Sequence, residues 1–371
     1  MNGRERLLES FRFGKPDRPF RWECVAFWKE TIERWQGEGL KEDPNRYFEM
    51  DKQISFLGFS SEIPVNSGFT SNPYVPKLET VLVSEDETSR VIRDGNGILR
   101  REFKQGAGVS MPQWLEYPVK QKEDYEDLRR RLDPEDPRRF PPDWDEYRER
   151  FEDRDYPISM GICGFFGHLR NLVGPEKVSI FMYREPDFIR EVLDHWTNFN
   201  KTIVEKVKRQ IDPDYMIVWE DMCYKTGPLV SPNLFEEFLL PCYSDLCNHL
   251  RGIGIENICV DTDGNVDALL PLFIRGGISG MVPFEVLAGN DILKIREKFP
   301  KLWMLGGLDK KALTRDKRSI DRELETKVPP MLESGGYLPS LDHAAPPDIP
   351  LENFAYYMKR VREMEARYSK A

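Results

Sequence analysis

After Tyr156 the sequence alternates between short apolar segments and longer amphipathic segments, and each apolar segment ends in polar residues. Short apolar segments of this kind are typical of buried strands, and the amphipathic segments between them are typical of helices. The pattern therefore predicts six consecutive strand–helix units. The apolar segments are residues 157–163, 214–221, 257–263, 280–285, 303–309 and 337–343.

Two further strands are predicted nearer the amino terminus. Residues 4–12 have helical apolar spacing and predict an opening helix that ends before Gly14 and Pro16. Residues 18–23 and 53–63 then predict the two strands. Eight parallel strands joined by right-handed crossovers favour an α/β fold of the TIM type, a (β/α)8 barrel. An open doubly wound sheet is the alternative, but the sequence lacks the Gly-rich phosphate-binding loop that such sheets use.

The segment between the second and third predicted strands has a different composition. Residues 64–118 are rich in Gly, Pro, Thr and Val and contain Asp-Gly and Asn-Gly pairs, which are typical of β-hairpins. They predict a β-rich insertion after the second strand. Residues 119–156 are densely charged and interrupted by prolines, which predicts surface helices. We therefore interpret residues 1–371 as a single barrel domain that carries this insertion.

Composition and charge exclude several classes of protein. The chain has 371 residues, with 54 Lys and Arg against 64 Asp and Glu, and its net charge of −10 would repel a nucleic-acid backbone. No apolar run approaches the roughly 18 to 20 residues that span a bilayer, so no membrane association is expected. The first residues lack the apolar core of a secretory signal, and we expect a cytoplasmic protein. The six cysteines form no CxxC pair and are expected to be reduced thiols.

The residues that close the predicted strands are mostly acidic. In an α/β barrel these positions converge on one mouth, where the substrate binds. Carboxylates after apolar strands are costly unless they face solvent, a cation or a substrate, so the pattern predicts a polar mouth. Each carboxylate taken alone could equally cap the amino end of a helix. In chain order the residues are Glu23, Cys163, Glu220 and Asp221, Asp261 and Asp263, Glu285, Asp309 and Lys310, and Asp342 and His343.

Residue type and spacing suggest specific roles at this mouth. Asp261 and Asp263 are separated by one residue and could both reach a cation if the backbone turns there, and Glu285 or His343 would supply further ligands of a site for zinc or a harder divalent ion. His343 is also the candidate acid–base group among the four histidines. The predicted catalytic residues are His343, Glu220, Asp221 and Glu285. The residues predicted to bind a small-molecule substrate are Arg21, Trp22, Glu23, His168 and Asp309.

Seven stretches of the sequence together resemble the uroporphyrinogen decarboxylase superfamily, in particular its uroporphyrinogen decarboxylase-like or corrinoid-dependent methyltransferase-like branch. The stretches are GRERLLESFRFGKPDRPFRWE, MPQWLEYPVK, WEDMCYKTGPLVSPNLFEEFLLPCY, VDTDGNVDALLPLF, GMVPFEVLAGND, LGGLDKKAL and GGYLPSLDHAAPPDIPLENFAYY. The resemblance covers nearly the whole chain. It implies a TIM-type barrel that is a monomer or a homodimer.

One activity that the resemblance implies is that of a carboxy-lyase. Decarboxylases of the superfamily carry a motif of the form MRQAGRY after the first strand, whose arginines hold the carboxylates of a porphyrin precursor. Here the stretch is RWECVAFW, in which Arg21 is the only basic residue, and the acidic mouth would repel such a substrate. His343, in SLDHAA, matches the histidine of the decarboxylase stretch NLGHG. It could contact substrate in a lyase of this kind, which would need no cofactor.

The methyltransferase branch is similar to the last two thirds of the chain. Its members that methylate coenzyme M bind zinc through a His-x-Cys pair and a distant Cys. At the matching positions this chain has Asp261 and Asp263, with His343 in place of the distant cysteine. Such ligands would make zinc a stronger Lewis acid that is less suited to a thiol substrate.

The leading hypothesis is therefore a methyltransferase that moves a methyl group between a small substrate, such as a methoxylated compound, and a corrinoid carried on a partner protein. Decarboxylation of a porphyrinogen is the alternative, and a non-catalytic binding barrel is the third hypothesis. Zinc and the corrinoid partner belong only to the first of the three.

Overall fold

The computed structural model describes residues 1–23, 27–56, 65, 73–104 and 112–368. Its strands are β1 (Ile54–Phe56), β2 (Val81–Glu85), β3 (Ser89–Arg93), β4 (Leu99–Phe103), β5 (Gln113–Glu116), β6 (Ile158–Cys163), β7 (Tyr215–Trp219), β8 (Cys223–Tyr224), β9 (Gly227–Pro228), β10 (Ile258–Asp261), β11 (Gly280–Val282), β12 (Trp303–Leu305) and β13 (Tyr337–Leu338). Its α-helices are α1 (Gly3–Phe11), α2 (Lys29–Gly37), α3 (Pro44–Tyr47), α4 (Lys122–Arg129), α5 (Asp145–Phe151), α6 (Phe165–Val173), α7 (Pro175–Arg184), α8 (Pro186–Lys208), α9 (Pro232–Leu234), α10 (Leu240–Gly252), α11 (Leu270–Arg275), α12 (Ile292–Lys298), α13 (Lys310–Leu313), α14 (Lys317–Ser334) and α15 (Leu351–Tyr368). Single 3-10 turns lie at Pro137–Arg139 and Val286–Ala288, and a π-helical turn at Phe235–Leu239 joins α9 to α10.

A parallel sheet forms the centre of the fold. Its seven strands lie in the order β1-β6-β7-β10-β11-β12-β13, so each strand pairs with the next strand of this sheet along the chain. All of these pairings are parallel. The last six strands lie within the six apolar segments that the sequence pattern marks, and helices connect them. The predicted α/β fold with strand–helix units after Tyr156 is therefore confirmed.

The prediction of a strand at residues 18–23 is wrong for these described residues. They join no ladder, although the carbonyl of Arg21 accepts the N–H of Asp51 at 3.0 Å. Pro19 has no N–H to give to a neighbouring strand, which weakens any ladder at this position. Residues 57–63 of the second predicted strand lie outside the described residues. The structure thus contains a seven-stranded parallel sheet, and its closure into an eight-stranded barrel remains a prediction.

The two faces of the parallel sheet pack against different partners. Side chains alternate along a strand, and on one face Tyr215, Cys259 and Trp303 form an apolar cluster with α1. We call this the inner face. Phe11 of α1 stacks on Trp303, with ring centroids 4.1 Å apart. Asp261 follows Cys259 by two residues in β10, so it belongs to the inner face at the carboxyl end of the sheet.

The segment between β1 and β6 contains a second, antiparallel sheet, with its four strands in the order β2-β3-β4-β5. A β-rich insertion is thus present after β1. The charged segment that follows forms α4 and α5, and it is anchored by Arg139, which is 0% exposed and donates to the carbonyls of Pro73 and Asp133 at 2.6 Å each. The treatment of residues 1–371 as one domain remains a prediction. No helix among the described residues combines the length and apolar character that a membrane span requires.

Candidate active site

Three of the predicted residues, each from a different loop, meet at the carboxyl end of the parallel sheet. Asp263 follows β10, Glu285 follows β11 and His343 follows β13. One possible ligand atom from each of the three side chains lies within 4.8 Å of the other two. We call Asp263, Glu285 and His343 the triad. Their side chains are 40%, 27% and 24% exposed, so an ion or a substrate can reach them.

Glu285 takes the place that the sequence analysis gives to Asp261. The predicted metal ligands are Asp261, Asp263 and His343, whereas the structure groups Glu285 with the last two. Asp261 is the last residue of β10 and is not part of this group, although the negative charge of Asp263 in the following loop acts on it. The N–H of Gly264, in the loop after β10, donates to Oε2 of Glu285 at 2.9 Å. Glu285 follows β11, and this bond holds its side chain beside the loop after β10.

The charges at this site are coupled. Burial alone would lower the pKa of His343, but the nearby negative charge of Asp263 outweighs it and raises that pKa. The Nε2 atom of His343 lies 3.6 Å from Oδ2 of Asp263. Burial, followed by the charges of Asp263 and Asp221, raises the pKa of Asp261 to about 7. Asp261 and Asp221 thus share the electrostatic environment of the triad without belonging to it.

Glu220 does not join the triad, because it caps a helix. It is 0% exposed, and its carboxylate accepts the N–H groups of Phe165 at 2.9 Å and of Gly167 at 2.7 Å. The hydroxyl of Tyr243 donates a further hydrogen bond. Glu220 therefore satisfies amides in the first turn of α6, which have no partner within the helix. Burial raises its pKa to about 7.

Asp221 lies beside the site and is held by an arginine. Its φ of 45° is uncommon for a residue other than glycine. Arg170 donates to the carbonyl of Asp221 at 2.7 Å and also to its carboxylate. The guanidinium of Arg170 lies 5.4 Å from the ring centroid of Trp219, the last residue of β7. Asp221 therefore acts on the site through its charge, which helps to raise the pKa of Asp261.

Arg21 and Trp22, which are predicted to bind substrate, have other partners. Arg21 pairs with the buried Glu365 of α15 at 2.9 Å. Trp22 packs against Tyr215, with ring centroids 6.3 Å apart. Tyr215 is the first residue of β7, whereas Asp221 lies just beyond the other end of that strand. The structure therefore does not bring Arg21 and Trp22 to the triad.

Glu23 links the amino-terminal segment to the loop that carries His343. Its carboxylate accepts hydrogen bonds of 2.9 Å each from the Ser340 hydroxyl, the Leu341 N–H and the Tyr357 hydroxyl. It is 8% exposed, and burial raises its pKa to about 7. These contacts give Glu23 a bridging role in the fold, and its contact with substrate stays a prediction.

His168 and Asp309 also have structural partners. His168 is 2% exposed and stacks on Trp196 with ring centroids 3.8 Å apart, and burial lowers its pKa to about 3. Asp309 is the N-cap of α13 and accepts the N–H of Lys311 at 2.8 Å. For Asp309 the helix-cap interpretation, which the sequence analysis left open for every carboxylate, is the one that the structure supports.

The pKa of Glu23 leads to a prediction about stability and pH. The folded protein holds a proton on Glu23 up to about pH 7, whereas an unfolded chain loses it near roughly pH 4.3. Unfolding between these values releases the proton, so this carboxyl makes the folded state less stable as the pH rises toward 7. Glutamine copies the protonated form. We therefore expect Glu23→Gln to gain about 3 kcal/mol relative to wild type between about pH 5 and about pH 8.

Urea unfolding of the wild type and of Glu23→Gln across that pH range measures this difference in the free energy of unfolding. Glu237→Gln is the control, because Glu237 pairs with Arg190 in an exposed position. A difference between wild type and Glu23→Gln that stays constant with pH would show that Glu23 is already ionised when buried.

Two charged residues beside the triad are among the residues that close predicted strands, but the sequence analysis assigns them no specific role. The ammonium of Lys310, the first residue of α13, lies 3.8 Å from Oε1 of Glu285 and 3.2 Å from Oδ1 of Asp342. Asp342 directly precedes His343 and is 0% exposed. Both residues close predicted strands beside Asp309 and His343, so the sequence already places them at the mouth. Only the fold reveals that they contact each other across two loops.

Comparisons with known proteins agree with this architecture. A family model described as uroporphyrinogen decarboxylase (URO-D) matches residues 101–364. Among solved structures, a methyltransferase from Methanosarcina mazei resembles the chain with a TM-score of 0.59 and 17% identity, covering 98% of this chain and 99% of that one. At this identity the likeness concerns the fold alone.

A second solved structure, assigned as a vitamin-B12 independent methionine synthase from Listeria monocytogenes, has a TM-score of 0.33 and 14% identity, covering 60% of this chain and 68% of that one. A likeness that weak carries no argument. No curated protein matches the chain significantly. The family match begins within β4 and ends within α15. It therefore includes the strands from β5 to β13 and the triad. The chain therefore belongs to the uroporphyrinogen decarboxylase family.

Proposed function

We propose that this chain is a methyltransferase of the uroporphyrinogen decarboxylase family, which moves a methyl group between a small substrate and a corrinoid carried on a partner protein. The observation that carries the proposal is the triad, an imidazole and two carboxylates gathered within 4.8 Å at the carboxyl end of the sheet. The Methanosarcina mazei methyltransferase, which shares the fold over nearly the full length of both chains, supports the same choice.

The donor atoms of the triad suit a metal ion. One imidazole and two carboxylates are a ligand set for zinc in catalytic sites, and they also accept harder divalent ions. A catalytic zinc site has three protein ligands and keeps a further position open for substrate, and the triad supplies three. When bound there, the ion would act as a Lewis acid toward an oxygen atom of the substrate.

The charges of the triad support a neutral substrate. Asp263 and Glu285 supply two carboxylates, and the neighbouring cation Lys310 is already paired with Asp342. A neutral methyl donor such as a methoxylated compound avoids repulsion at this site, because it brings no negative charge. In the demethylating direction the C–O bond to the methyl group would break, and a reduced corrinoid would bond to the methyl carbon with its own electron pair. The oxygen atom left on the substrate would keep the electrons of the broken bond and take up one proton.

Decarboxylation of a porphyrinogen requires a different pocket. Its substrate carries several carboxylates, which need cationic partners. Arg21, the basic residue of the stretch that matches the arginine motif, is paired with Glu365. The two carboxylates of the triad would repel a polyanion bound beside them. The electrostatics of the described residues thus favour methyl transfer over this second activity.

One experiment separates the two activities. The purified chain with Zn²⁺ is incubated with cob(I)alamin and 1,2-dimethoxybenzene, and methylcobalamin formation is followed by absorbance. A parallel incubation contains uroporphyrinogen, with coproporphyrinogen as the expected lyase product. We expect methylcobalamin to form and Asp263→Ala to abolish its formation, with Asp309→Asn as the control because Asp309 caps α13 outside the triad. Coproporphyrinogen in the parallel incubation without methylcobalamin in the first would overturn the proposal.

A further inference from the structure

Asp342 makes an unusual set of contacts for a carboxylate that has no exposed surface. Its Oδ2 accepts the N–H of Val286 at 2.9 Å. Its Oδ1 accepts both the N–H of Lys310 at 3.1 Å and the ammonium of the same residue at 3.2 Å. Its own N–H donates to the carbonyl of Leu308 at 2.8 Å. One buried side chain thus connects the loops that follow β11, β12 and β13.

These contacts end next to two members of the triad. Val286 directly follows Glu285, so the bond to Oδ2 holds the peptide that leaves Glu285. Asp342 itself directly precedes His343. Displacement of the Asp342 carboxylate would therefore shift the backbone at Glu285, because the carboxylate holds the next peptide N–H. It would also shift His343, because His343 directly follows Asp342.

Lys310 completes the arrangement. Its side chain is 14% exposed, and its ammonium compensates the buried charge of Asp342, which would otherwise be costly. The same ammonium lies 3.8 Å from Oε1 of Glu285, while the Gly264 N–H holds Oε2 of that residue at 2.9 Å. Both carboxylate oxygens of Glu285 are thus oriented by neighbouring groups.

We propose that Asp342 is a positioning residue for the triad, acting through Lys310 and through the Glu285–Val286 peptide, and that metal affinity at the triad depends on it. The inference rests on the proposed function, since it takes the triad to be a metal site. A carboxylate that only stabilised the fold would change the stability of the protein without changing the affinity or geometry of a bound ion. The two roles therefore differ in a measurable way.

The test uses the full chain and Co²⁺ as a spectroscopic probe. Asp342→Asn keeps the size of the side chain but turns one acceptor into an NH2 group, which must face the Val286 N–H or the Lys310 groups. Asp309→Asn is the matched control, because Asp309 also accepts an N–H in α13 but contacts no member of the triad through the bonds described above. Asp342→Ser is the second variant should Asp342→Asn fail to fold, since its hydroxyl can still accept one N–H.

We expect Asp342→Asn to bind Co²⁺ about 10- to 100-fold more weakly than wild type, the usual cost of losing a group that orients metal ligands, and to change the visible absorption of the bound ion. Asp309→Asn should stay within about twofold of wild type by the same reasoning, because the groups around its ligands are unchanged. The rise in melting temperature at saturating Co²⁺ is a second measurement, and it should be smaller for Asp342→Asn than for Asp309→Asn.

The outcomes distinguish this inference from the proposed function. Wild-type affinity and an unchanged spectrum in Asp342→Asn would overturn the positioning role while leaving the triad as a metal site. A wild-type chain that binds no Co²⁺ would overturn the metal site of the proposed function, and the positioning role with it. Loss of affinity in Asp309→Asn equal to that in Asp342→Asn would also overturn the inference, because the effect would then come from general loosening of α13.

Discussion

His343→Ala should bind Zn²⁺ or Co²⁺ at least about 100-fold more weakly than the wild type, the upper end of what is lost when only a supporting group is removed. The substitution takes away the one imidazole of the triad and leaves two carboxylates, Asp263 and Glu285. Two oxygen ligands at a site that is partly open to water compete poorly with hydration of the ion. Methyl transfer should fall with the metal affinity.

Equilibrium dialysis with metal analysis measures the affinity in both proteins. His249→Ala is the matched control, because His249 lies on α10, where its Nε2 is 3.2 Å from Glu205. Its affinity should equal that of wild type. Equal metal affinity in His343→Ala and wild type would remove His343 from the metal site and leave its contact with Asp263 as a simple ion pair.

Gly164→Ala should lower the free energy of unfolding by about 3 kcal/mol, the upper part of the range for an overpacked core. A Cβ atom at this glycine would lie 2.2 Å from the carboxyl carbon of Glu220 and 2.3 Å from its nearer oxygen. Glu220 cannot move away cheaply, because Phe165, Gly167 and Tyr243 all donate hydrogen bonds to it. Relief of the clash would leave buried donors without an acceptor, which is costly.

Urea unfolding at constant pH measures the loss, and the chain supplies a matched glycine. Gly37 ends α2, and a Cβ atom there would meet no atom within 4 Å. Gly37→Ala should therefore be neutral or slightly stabilising, because alanine is the better helix former by roughly 1 kcal/mol. Equal stabilities for Gly164→Ala and Gly37→Ala would show that Glu220 does not occupy the amino end of α6 in the way described.

The strands after Tyr156 were predictable because their signal is local. Each is a short run of apolar residues in a sheet whose two faces are both covered, one by α1 and one by the surrounding helices. The strand predicted at residues 18–23 is absent for a local and a long-range reason, since Pro19 weakens a ladder there and the charged side chains have partners far along the chain. Arg21 meets Glu365, and no pattern within the segment indicates that contact.

The site was predictable in kind but not in detail. Acidic residues and His343 at successive strand ends correctly indicate a polar cluster, because parallel strands bring their carboxyl ends together. Which of the acids meet depends on the backbone beyond each strand. Asp261 remains in its strand, Glu220 turns to α6 and Glu285 reaches Asp263 through the N–H of Gly264.

Helix caps and site residues are also the same residue types in a sequence. Glu220 and Asp309 both follow apolar strands, as Asp263 does, and both bind first-turn amides of a helix, which is the earlier helix α6 for Glu220 and the following helix α13 for Asp309. A helix cap and a site residue differ in which groups lie close to the carboxylate, and this depends on the conformation of the loop. Lys310 and Asp342 illustrate the same limit, because their contact joins two loops that are separate in the sequence.

X-ray absorption spectroscopy at the zinc edge, on the full chain loaded with one equivalent of Zn²⁺, tests most directly whether the triad holds the ion. We expect a first shell of nitrogen and oxygen atoms at roughly 2.0 to 2.2 Å, with the outer-shell scattering of a single imidazole, and loss of this signal in Asp263→Ala. A sulfur shell at about 2.3 Å, or a spectrum that Asp263→Ala leaves unchanged, would place the zinc on other residues and contradict the account.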